Sequence, residues 1–371
     1  MNFKCKICKS TKLTTLYYVD DLPLFQNKTY HSSEESRRQK KVGVNLCQCQ
    51  DCGFVFNGLF NNKDMDYDDD YQNEQNYSQA FVEHLNSVVD FLIENKFKNK
   101  KIVEIGCGKG YFIELLEKKG FKYIYGFDPA YEGDNENIIK DYFSEKYKSI
   151  NADLIILRHV LEHIENPYEF LKHIQKATST HTEIIIEVPD FEWIVENKAF
   201  WDIFYEHCNY FNNSFLGSFF ENSITKKVFG SQYLLMLANL HELKKPLVQH
   251  RYSKNIFDKS LKNIKIFLSK HTSLVIWGAA SKGVTLLNIF DKNKQYVDCC
   301  IDINPKKQNQ YIATTGHKIC APTEFAKIIQ GWKNPSVLIV NQNYFEEIVK
   351  EYGNERVIFY SLEKIINEGK K

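Results

Sequence analysis

The residues with the clearest chemical potential lie at positions 104–110, which read Glu-Ile-Gly-Cys-Gly-Lys-Gly. Gly106, Gly108 and Gly110 allow a tight turn and let a ligand approach the backbone closely. Glu104 precedes that turn, where its carboxylate could meet a cationic ligand. An apolar run comes before the segment and a helical pattern follows it. The pattern therefore predicts a strand, a glycine-rich turn and a helix with free N–H groups at its start.

A second acidic residue supports this interpretation. The run Tyr123–Phe127 predicts another strand, and Asp128 follows it, 22 residues after Gly106. An acid at this point can accept hydrogen bonds from both ribose hydroxyls of an adenosine cofactor. The first turn is more closely spaced than the dinucleotide fingerprint, so it does not require a pyrophosphate.

Together these features resemble the class I S-adenosylmethionine (SAM)-dependent methyltransferases. In that family the glycine loop wraps the methionine part of SAM, and the acid after the second strand holds the ribose. The end of a third short strand usually contacts the adenine. The resemblance therefore implies a SAM site formed by Glu104, Gly106, Gly108, Gly110, Asp128, Asp141 and Tyr142. The alternative is a Rossmann-like turn that binds another nucleotide or none.

Four cysteines in the first 65 residues have the spacing of a metal site. Two C-x-x-C pairs, about 40 residues apart, fit four thiolates around a tetrahedral zinc. Such a site has no open position, so its role would be in folding rather than in chemistry. We interpret Cys47 as a bystander, and the alternative is a set of buried free thiols. The predicted zinc ligands are Cys5, Cys8, Cys49 and Cys52.

Composition narrows the possible functions. The chain has 371 residues, 48 basic and 47 acidic, for a net charge of +1. This balance argues against a nucleic-acid-binding surface and disfavours a zinc-ribbon RNA methyltransferase. No apolar run of 18 residues predicts a membrane span, and the first residues lack an apolar signal region. We therefore expect a cytoplasmic protein that contacts neither nucleic acid nor membrane.

The order of the predicted elements indicates an α/β fold of three units. Strands alternate with helices after Asp128, which predicts a doubly wound parallel sheet closed by a hairpin at about 224–237. A second Rossmann-like unit repeats the theme, and the turn Gly-Ala-Ala-Ser-Lys-Gly at 278–283 places Lys282 where it suits phosphate. Residues 61–80 form an acidic linker or a tyrosine-bearing loop beside the cofactor. The predicted domains are a zinc-binding unit at 1–65, a methyltransferase unit at 66–245 and a Rossmann-like unit at 246–371.

A candidate catalytic pair lies between the fifth strand and the hairpin. Glu206 and His207 are adjacent and flanked by aromatic residues. A histidine titrates near neutrality and can act as a general base, and a neighbouring carboxylate can orient its ring. The alternative is a helix whose aromatic residues pack in the core, with the pair solvated or capping.

The whole arrangement resembles the sugar C-methyltransferases, which act on nucleotide-linked keto-deoxysugars. The markers are the four cysteines, the glycine turn, Leu161-x-His163-Ile164, Glu206-His207-x-x-Tyr210-Phe211, the turn at 278–283 and Gly316-His317 to Pro322. The resemblance implies His207 as base, with Glu206 and His163 near the sugar. It also implies that the C-terminal unit helps to hold the nucleotide diphosphate, in a surface-polysaccharide or specialised-metabolite pathway.

Two positions depart from that family. Phe204 stands where members commonly carry a tyrosine, so a hydroxyl that could stabilise an enolate is absent unless Tyr205 or Tyr210 replaces it. Glu162 stands where members often have a small residue. Methyl transfer to oxygen or nitrogen of a related sugar nucleotide, or nucleotide-sugar binding without turnover, are therefore alternatives.

Overall fold

The computed structural model describes residues 3–65, 71–72 and 74–367. Asp66, Tyr67 and Asp68–Asp70 of the predicted linker lie outside these residues. Strands β1 to β18 are Leu13–Pro23, Thr29–Tyr30, Lys41–Cys49, Val55–Asn57, Ile102–Ile105, Ile124–Phe127, Ile138–Ile139, Leu154–Arg158, Glu183–Pro189, Asn209–Tyr210, Ser223–Val228, Tyr233–Asn239, Leu274–Trp277, Val297–Ile301, Tyr311–Ile312, Ile319–Cys320, Ser336–Ile339 and Ile358–Ser361. Helices α1 to α11 are Ser33–Arg37, Gln79–Glu94, Tyr111–Lys118, Pro167–Lys176, Phe191–Glu196, Asn213–Gly217, Asp258–Leu268, Ser281–Phe290, Phe325–Ile328, Phe345–Tyr352 and Leu362–Asn367.

The central unit contains a seven-stranded sheet in the order β11-β12-β9-β8-β5-β6-β7. Strands β5 to β9 are parallel to one another, whereas β12 runs antiparallel between β9 and β11. Strand β8 is rich in isoleucine and leucine and buried along nearly all of its length, as expected for a strand covered by helices on both faces. This sheet order, with its antiparallel closing hairpin, confirms the predicted class I methyltransferase fold.

The first residues form a four-stranded antiparallel sheet in the order β1-β3-β4-β10. Its last strand comes from the middle of the chain, because Asn209 pairs with Phe56 and Tyr210 with Val55. The amide of Asn57 also donates to the carbonyl of Cys208, at 2.9 Å. The segment that follows His207 is thus part of the N-terminal sheet, across the boundary that we drew at residue 65.

The C-terminal unit is a five-stranded parallel sheet in the order β16-β14-β13-β17-β18. Helices α8 and α10 follow strands β13 and β17 in the chain, as the predicted Rossmann-like repeat requires. The short strand β15 pairs with β2 of the N-terminal unit. Within the part of the chain that the structure describes, no helix is both long enough and apolar enough to span a bilayer.

Candidate active site

A cavity of about 400 Å³ lies where the three units meet. The carboxyl ends of β5 and β8 form one wall, as expected for ligand sites in parallel α/β sheets. The turn after β13 forms the facing wall, and Asn27 and Tyr71 close one side. The cavity therefore joins the two glycine-containing turns that the sequence predicted separately.

The glycine turn after β5 leaves room for a ligand at one specific position. Gly106, Gly108 and Gly110 all have positive φ, at 74°, 55° and 83°. A Cβ atom at Gly110 would lie 2.4 Å from Ile138, whereas a Cβ at Gly108 would meet no atom within 4 Å. Gly110 is thus required by packing. Gly108 borders open space in the cavity, where a ligand can reach the backbone.

One carboxylate oxygen of Glu104 lacks a hydrogen-bond partner beside this turn, among the residues that the structure describes. Its side chain is only 2% exposed, and its Oε2 atom has no hydrogen-bond partner among the residues described. Burial raises the pKa of Glu104 to about 7, with Arg158 opposing the shift and the charges of Glu187 and Asp128 adding to it. A buried, unpaired carboxylate oxygen facing a cavity is suited to a cationic ligand group.

A buried charge network that sequence reasoning missed lies behind Glu104. The Arg158 guanidinium donates to Glu187 Oε2 at 2.8 Å and lies 3.7 Å from Glu104 Oε1. Glu187 also bonds His84 Nε2, at 2.6 Å. Burial alone would raise the pKa of Glu187, but Arg158 and the hydrogen bond from His84 lower it well below its ordinary value. The only sequence signal was Arg158 at a strand end.

The other predicted cofactor residues divide into two groups. Asp128 follows β6, and its two oxygens accept the amides of Gly108 and Ala130, each at 2.9 Å. Each carboxylate oxygen retains a second lone pair for a ribose hydroxyl. Asp141 instead bonds Lys146 and Tyr147, which hold its pKa at about 2, with the Tyr147 hydroxyl as the larger influence. Tyr142 is 74% exposed, and neither Asp141 nor Tyr142 lines the cavity.

His163 and His207 lie together in the cavity wall. Their ring centroids are 4.9 Å apart at 77°, and His163 Nδ1 is 2.9 Å from the carbonyl oxygen of Glu206. Burial lowers the pKa of both imidazoles, so both are neutral near pH 7. The ring nitrogens of His207 have no hydrogen-bond partner in the described chain, so this imidazole is available to a ligand.

The carboxylate of Glu206 lies outside the cavity wall. Its Oε2 accepts the backbone amide of Gln26 at 2.6 Å. Burial raises the pKa of Glu206 to about 7, against the lowering influence of Gln26 and of the Tyr71 hydroxyl. Glu206 thus binds the N-terminal unit and positions His163 through its backbone carbonyl. It does not touch the His207 ring nitrogens.

Neither Tyr205 nor Tyr210 supplies the hydroxyl that a tyrosine at position 204 would carry. The Phe204 ring packs against His207, with ring centroids 4.1 Å apart and the planes tilted by 39°. The Tyr210 hydroxyl is buried and bonds both the amide and the carbonyl of Phe204, at 3.2 Å each. The Tyr205 hydroxyl accepts the amide of Asn61, at 3.0 Å, in the N-terminal unit. Neither hydroxyl reaches the cavity, which leaves an apolar ring beside His207.

The C-terminal wall carries two lysines in different environments. Lys282, in the first turn of α8, forms an ion pair with Asp202 of the central unit, with Nζ–Oδ2 at 2.6 Å. Lys307 is only 2% exposed and has two long contacts, to Asn27 Oδ1 at 3.2 Å and to the Ala279 carbonyl at 3.5 Å. Burial lowers the pKa of Lys307. Both side chains line the cavity, where the carboxylates of Asp202 and Asp302 also lie, so the wall presents two ammonium groups among acidic neighbours.

The four predicted cysteine ligands converge in the N-terminal unit. Their sulfur atoms all lie within 4.8 Å of one another, with Cys5–Cys52 at 3.5 Å and Cys8–Cys49 at 3.4 Å. Thiolates around a tetrahedral zinc at about 2.3 Å are separated by roughly 3.8 Å, so this set fits such an ion. Cys47 is not part of the cluster and packs near Gly58.

Comparison with known proteins agrees with this geometry. A family model described as a methyltransferase domain matches residues 76–223, and a model described as a C-methyltransferase C-terminal domain matches residues 243–356. The two models follow one another along the chain and meet at the cavity. The two matches support a SAM-dependent C-methyltransferase family for this chain. It is therefore a SAM-dependent methyltransferase, and the residues around Glu104 and Gly108 fit the cofactor that this family uses.

Individual relatives are distant from this methyltransferase. The C-methyltransferase NovU of Streptomyces niveus is 22% identical over 313 residues, which cover 73% of each chain. Among solved structures, the methyltransferase domain of bacterial CtHen1-CN is 20% identical with a TM-score of 0.33, covering 43% of this chain and 98% of that one. A protein of Pyrococcus horikoshii OT3 is 16% identical with a TM-score of 0.36, covering 47% and 99%.

Proposed function

We propose that this methyltransferase transfers the methyl group of SAM to a carbon atom next to the ketone of a nucleotide-linked keto-deoxysugar. The observation that carries the proposal is the placement of His207. Its imidazole lines the same cavity as Glu104 and Gly108 on one side and Lys282 and Lys307 on the other. A proton acceptor thus lies between a cofactor cradle and a wall that carries two lysines.

The cofactor side of the cavity has the groups that SAM needs. The unpaired oxygen of Glu104 would hold the α-amino group, and the open backbone at Gly108 would accommodate the methionine part. Asp128 would accept the ribose hydroxyls. When bound, SAM supplies an electrophilic methyl group. The protein's task is then to hold the acceptor carbon in line with it and to remove a proton from that carbon.

His207 is the residue that we assign to proton removal. A carbon beside a ketone must lose a proton before it can attack an electrophile. A neutral imidazole can take that proton at its free nitrogen. The rings of Phe204 and His163 fix the position of the His207 ring on two sides. The Phe204 ring thus places an apolar group where the sugar C-methyltransferases commonly carry a tyrosine.

The nucleotide diphosphate would lie against the C-terminal wall. The hydrogen bonds of Lys307 go to neutral oxygens of Asn27 and Ala279, and a phosphate would give its ammonium group a charge-assisted hydrogen bond. Lys282 would have to exchange Asp202 for the phosphate, or hold both. The start of α8 adds backbone N–H groups on the same wall.

The cysteine cluster would hold a structural zinc. Four thiolates leave no open coordination position, so the ion would contribute to folding and take no part in methyl transfer. Metal analysis of the purified chain and of the Cys8→Ser variant tests this assignment. After treatment with a mild chelator we expect one zinc per chain that the variant lacks, and a zinc-free, fully folded wild type would contradict the assignment.

The decisive experiment is mass spectrometry of product mixtures. A panel of nucleotide-linked 4-keto and non-keto sugars is incubated with the protein and methyl-labelled SAM, in ordinary and in heavy water. We expect a keto-sugar to gain the methyl group and to lose one carbon-bound hydrogen. Methyl gain without that loss would indicate transfer to oxygen or nitrogen. No gain across the panel, with cofactor binding intact, would contradict the proposal.

A further inference from the structure

Three side chains in the cavity wall form a cluster of metal-ligating type that is separate from the cysteines. Glu162, His163 and His207 each offer one ligand atom, and these atoms lie within 4.8 Å of one another. Ligands that share one divalent ion at about 2.0–2.2 Å are separated by roughly 3–4 Å. Small side-chain rotations would therefore bring the three atoms onto a single ion.

The tautomer of His163 is already the one that metal binding requires. A carbonyl oxygen can only accept, so the nitrogen that contacts the Glu206 carbonyl at 2.9 Å, Nδ1, must carry the hydrogen. The lone pair of the neutral ring then lies on Nε2. Histidine ligands in metal sites commonly donate their second ring N–H to a carbonyl or carboxylate, which fixes the ring orientation in the same way.

Glu162 has a comparable second contact and a free ligand atom. Its Oε1 lies 3.3 Å from His159 Nδ1, which orients the carboxylate. Its Oε2 is buried and lacks a hydrogen-bond partner within the described ranges, and the whole side chain is only 1% exposed. A buried carboxylate oxygen without a partner is costly unless a cation or a donor occupies the space beside it.

We propose that Glu162, His163 and His207 form a second, reversible site for a divalent transition-metal ion such as Zn²⁺. Two imidazoles and one carboxylate are ligands that Zn²⁺ accepts, and three protein ligands leave a coordination position open toward the cavity. The four-cysteine cluster, by contrast, would have no open coordination position and would hold its zinc permanently. The two sites differ in the softness of their ligands and in how open they are to the cavity. Their metal ions should therefore exchange with solution at different rates.

An ion at this second site would inhibit methyl transfer, a role that rests on the proposed function of His207. A lone pair that binds a metal ion cannot also accept a proton from the substrate. An ion at this site would therefore stop proton removal while leaving Glu104 and the cofactor turn untouched. The protein would keep its affinity for SAM and lose turnover as the metal concentration rises.

The test uses the full-length protein and two probes, Zn²⁺ and Co²⁺. After treatment with a mild chelator, the metal content is measured and each ion is titrated back by calorimetry. We expect one equivalent that resists the chelator and a second that binds reversibly. The second Co²⁺ equivalent should give ligand-field absorption bands without the sulfur-to-cobalt charge-transfer band that cysteine ligation produces.

The variants separate the two sites. Glu162→Gln and His163→Asn should weaken the reversible equivalent by about 100-fold or more, since even outer contacts of metal ligands contribute about 10–100-fold. The matched control His173→Asn changes an exposed histidine of α4 and should leave both equivalents unchanged. Cys8→Ser should remove only the resistant equivalent. Circular dichroism of each variant verifies that it has folded.

Each outcome decides the proposal. A single metal equivalent in the wild type, or a second one that survives both Glu162→Gln and His163→Asn, would overturn the site. A second equivalent at this site that fails to slow methyl transfer would overturn its inhibitory role. If no methyl transfer to keto-sugars is found at all, the proposed function fails, whereas the binding data still decide whether the metal site exists.

Discussion

The two strand–turn–helix units of this chain share one construction and use it differently. After the second strand of each unit an aspartate holds the first turn, since Asp128 accepts the amide of Gly108 and Asp302 that of Ala279. Each aspartate also accepts the amide two residues further on, at 2.9 Å, from Ala130 and Asn304 respectively. The local geometry is therefore nearly the same in both units.

The units differ in what their turns leave unsatisfied. The first turn has open space at Gly108 and an unpaired oxygen on Glu104. In the second, a Cβ at Gly283 would lie 2.0 Å from the Gly278 carbonyl, and Lys282 is already paired with Asp202. Topology thus provides the turn, whereas free space and unpaired charge decide which turn takes a ligand tightly.

The largest expected effect concerns the residue between the two turns. His207→Ala should lower the methyl-transfer rate by about 10²–10⁴-fold, the usual contribution of a positioned general base. Because His207 touches neither Glu104 nor Asp128, SAM affinity measured by calorimetry should stay within about twofold. Near-normal turnover would remove His207 as the base.

A matched pair of substitutions tests the two aspartates directly. Asp128→Ala removes the acceptor of the ribose hydroxyls and should weaken SAM binding by roughly 10–100-fold, as expected for charge-assisted hydrogen bonds. Asp302→Ala removes the same local bonds from the second turn and should leave SAM affinity unchanged. Equal losses in both variants would mean that the two turns are not specialised as we describe.

The pH dependence of SAM affinity tests the charge on Glu104. Since burial raises its pKa to about 7, the carboxylate that binds the α-amino group is lost as pH falls below that value. Affinity should then fall about tenfold for each pH unit, and it should also fall above roughly pH 8, where α-amino groups lose their proton. Glu104→Gln should abolish the acidic limb, and an acidic limb that persists in that variant would assign it to another group.

The smallest expected effect concerns the ion pair on the second turn. Lys282→Met should weaken binding of the nucleotide-sugar by about tenfold or less, because Lys307 remains. Asp202→Asn frees Lys282 and should leave that affinity equal or higher, although thermal stability should fall slightly. Fluorescence titration with a nucleoside diphosphate measures both. Weaker binding in the Asp202→Asn variant would show that the pair itself, rather than the lysine, supports the ligand.

The parts of the fold that sequence predicted are those encoded locally. Strand β8 is a continuous apolar run that ends at Arg158, and β5 is apolar apart from Glu104 and ends just before a glycine. Helix α2 has a clear helical spacing of apolar side chains. The cysteine pairs and the Glu206–His207 pair were visible for the same reason. Their spacing is contained within a few residues.

The features of the fold and site that sequence did not predict depend on contacts between distant parts of the chain. The bond from His84 to Glu187 joins residues 103 positions apart, and the Lys282–Asp202 pair joins residues 80 apart. The pairing of β10 with β4 joins segments that are even farther apart, so it has no local sequence pattern. Periodicity reports which face of an element is buried, but it does not report the partner. The geometry of the charges around Glu104 was therefore not predictable from sequence alone.

From the pairing of β10 with the N-terminal sheet we infer that the segment after His207, the proposed base, is sensitive to oxidation of the cysteine cluster. The amide of Asn57 donates to the carbonyl of Cys208, directly after His207, and Asn57 lies five residues from Cys52. Oxidants convert thiolates to sulfenic acids or disulfides, which no longer bind a metal ion. We expect that such damage to the cysteine cluster would release the strand beside His207. Peroxide would then lower the methyl-transfer rate without reacting with the cavity residues, and a thiol reductant with added zinc would restore that rate.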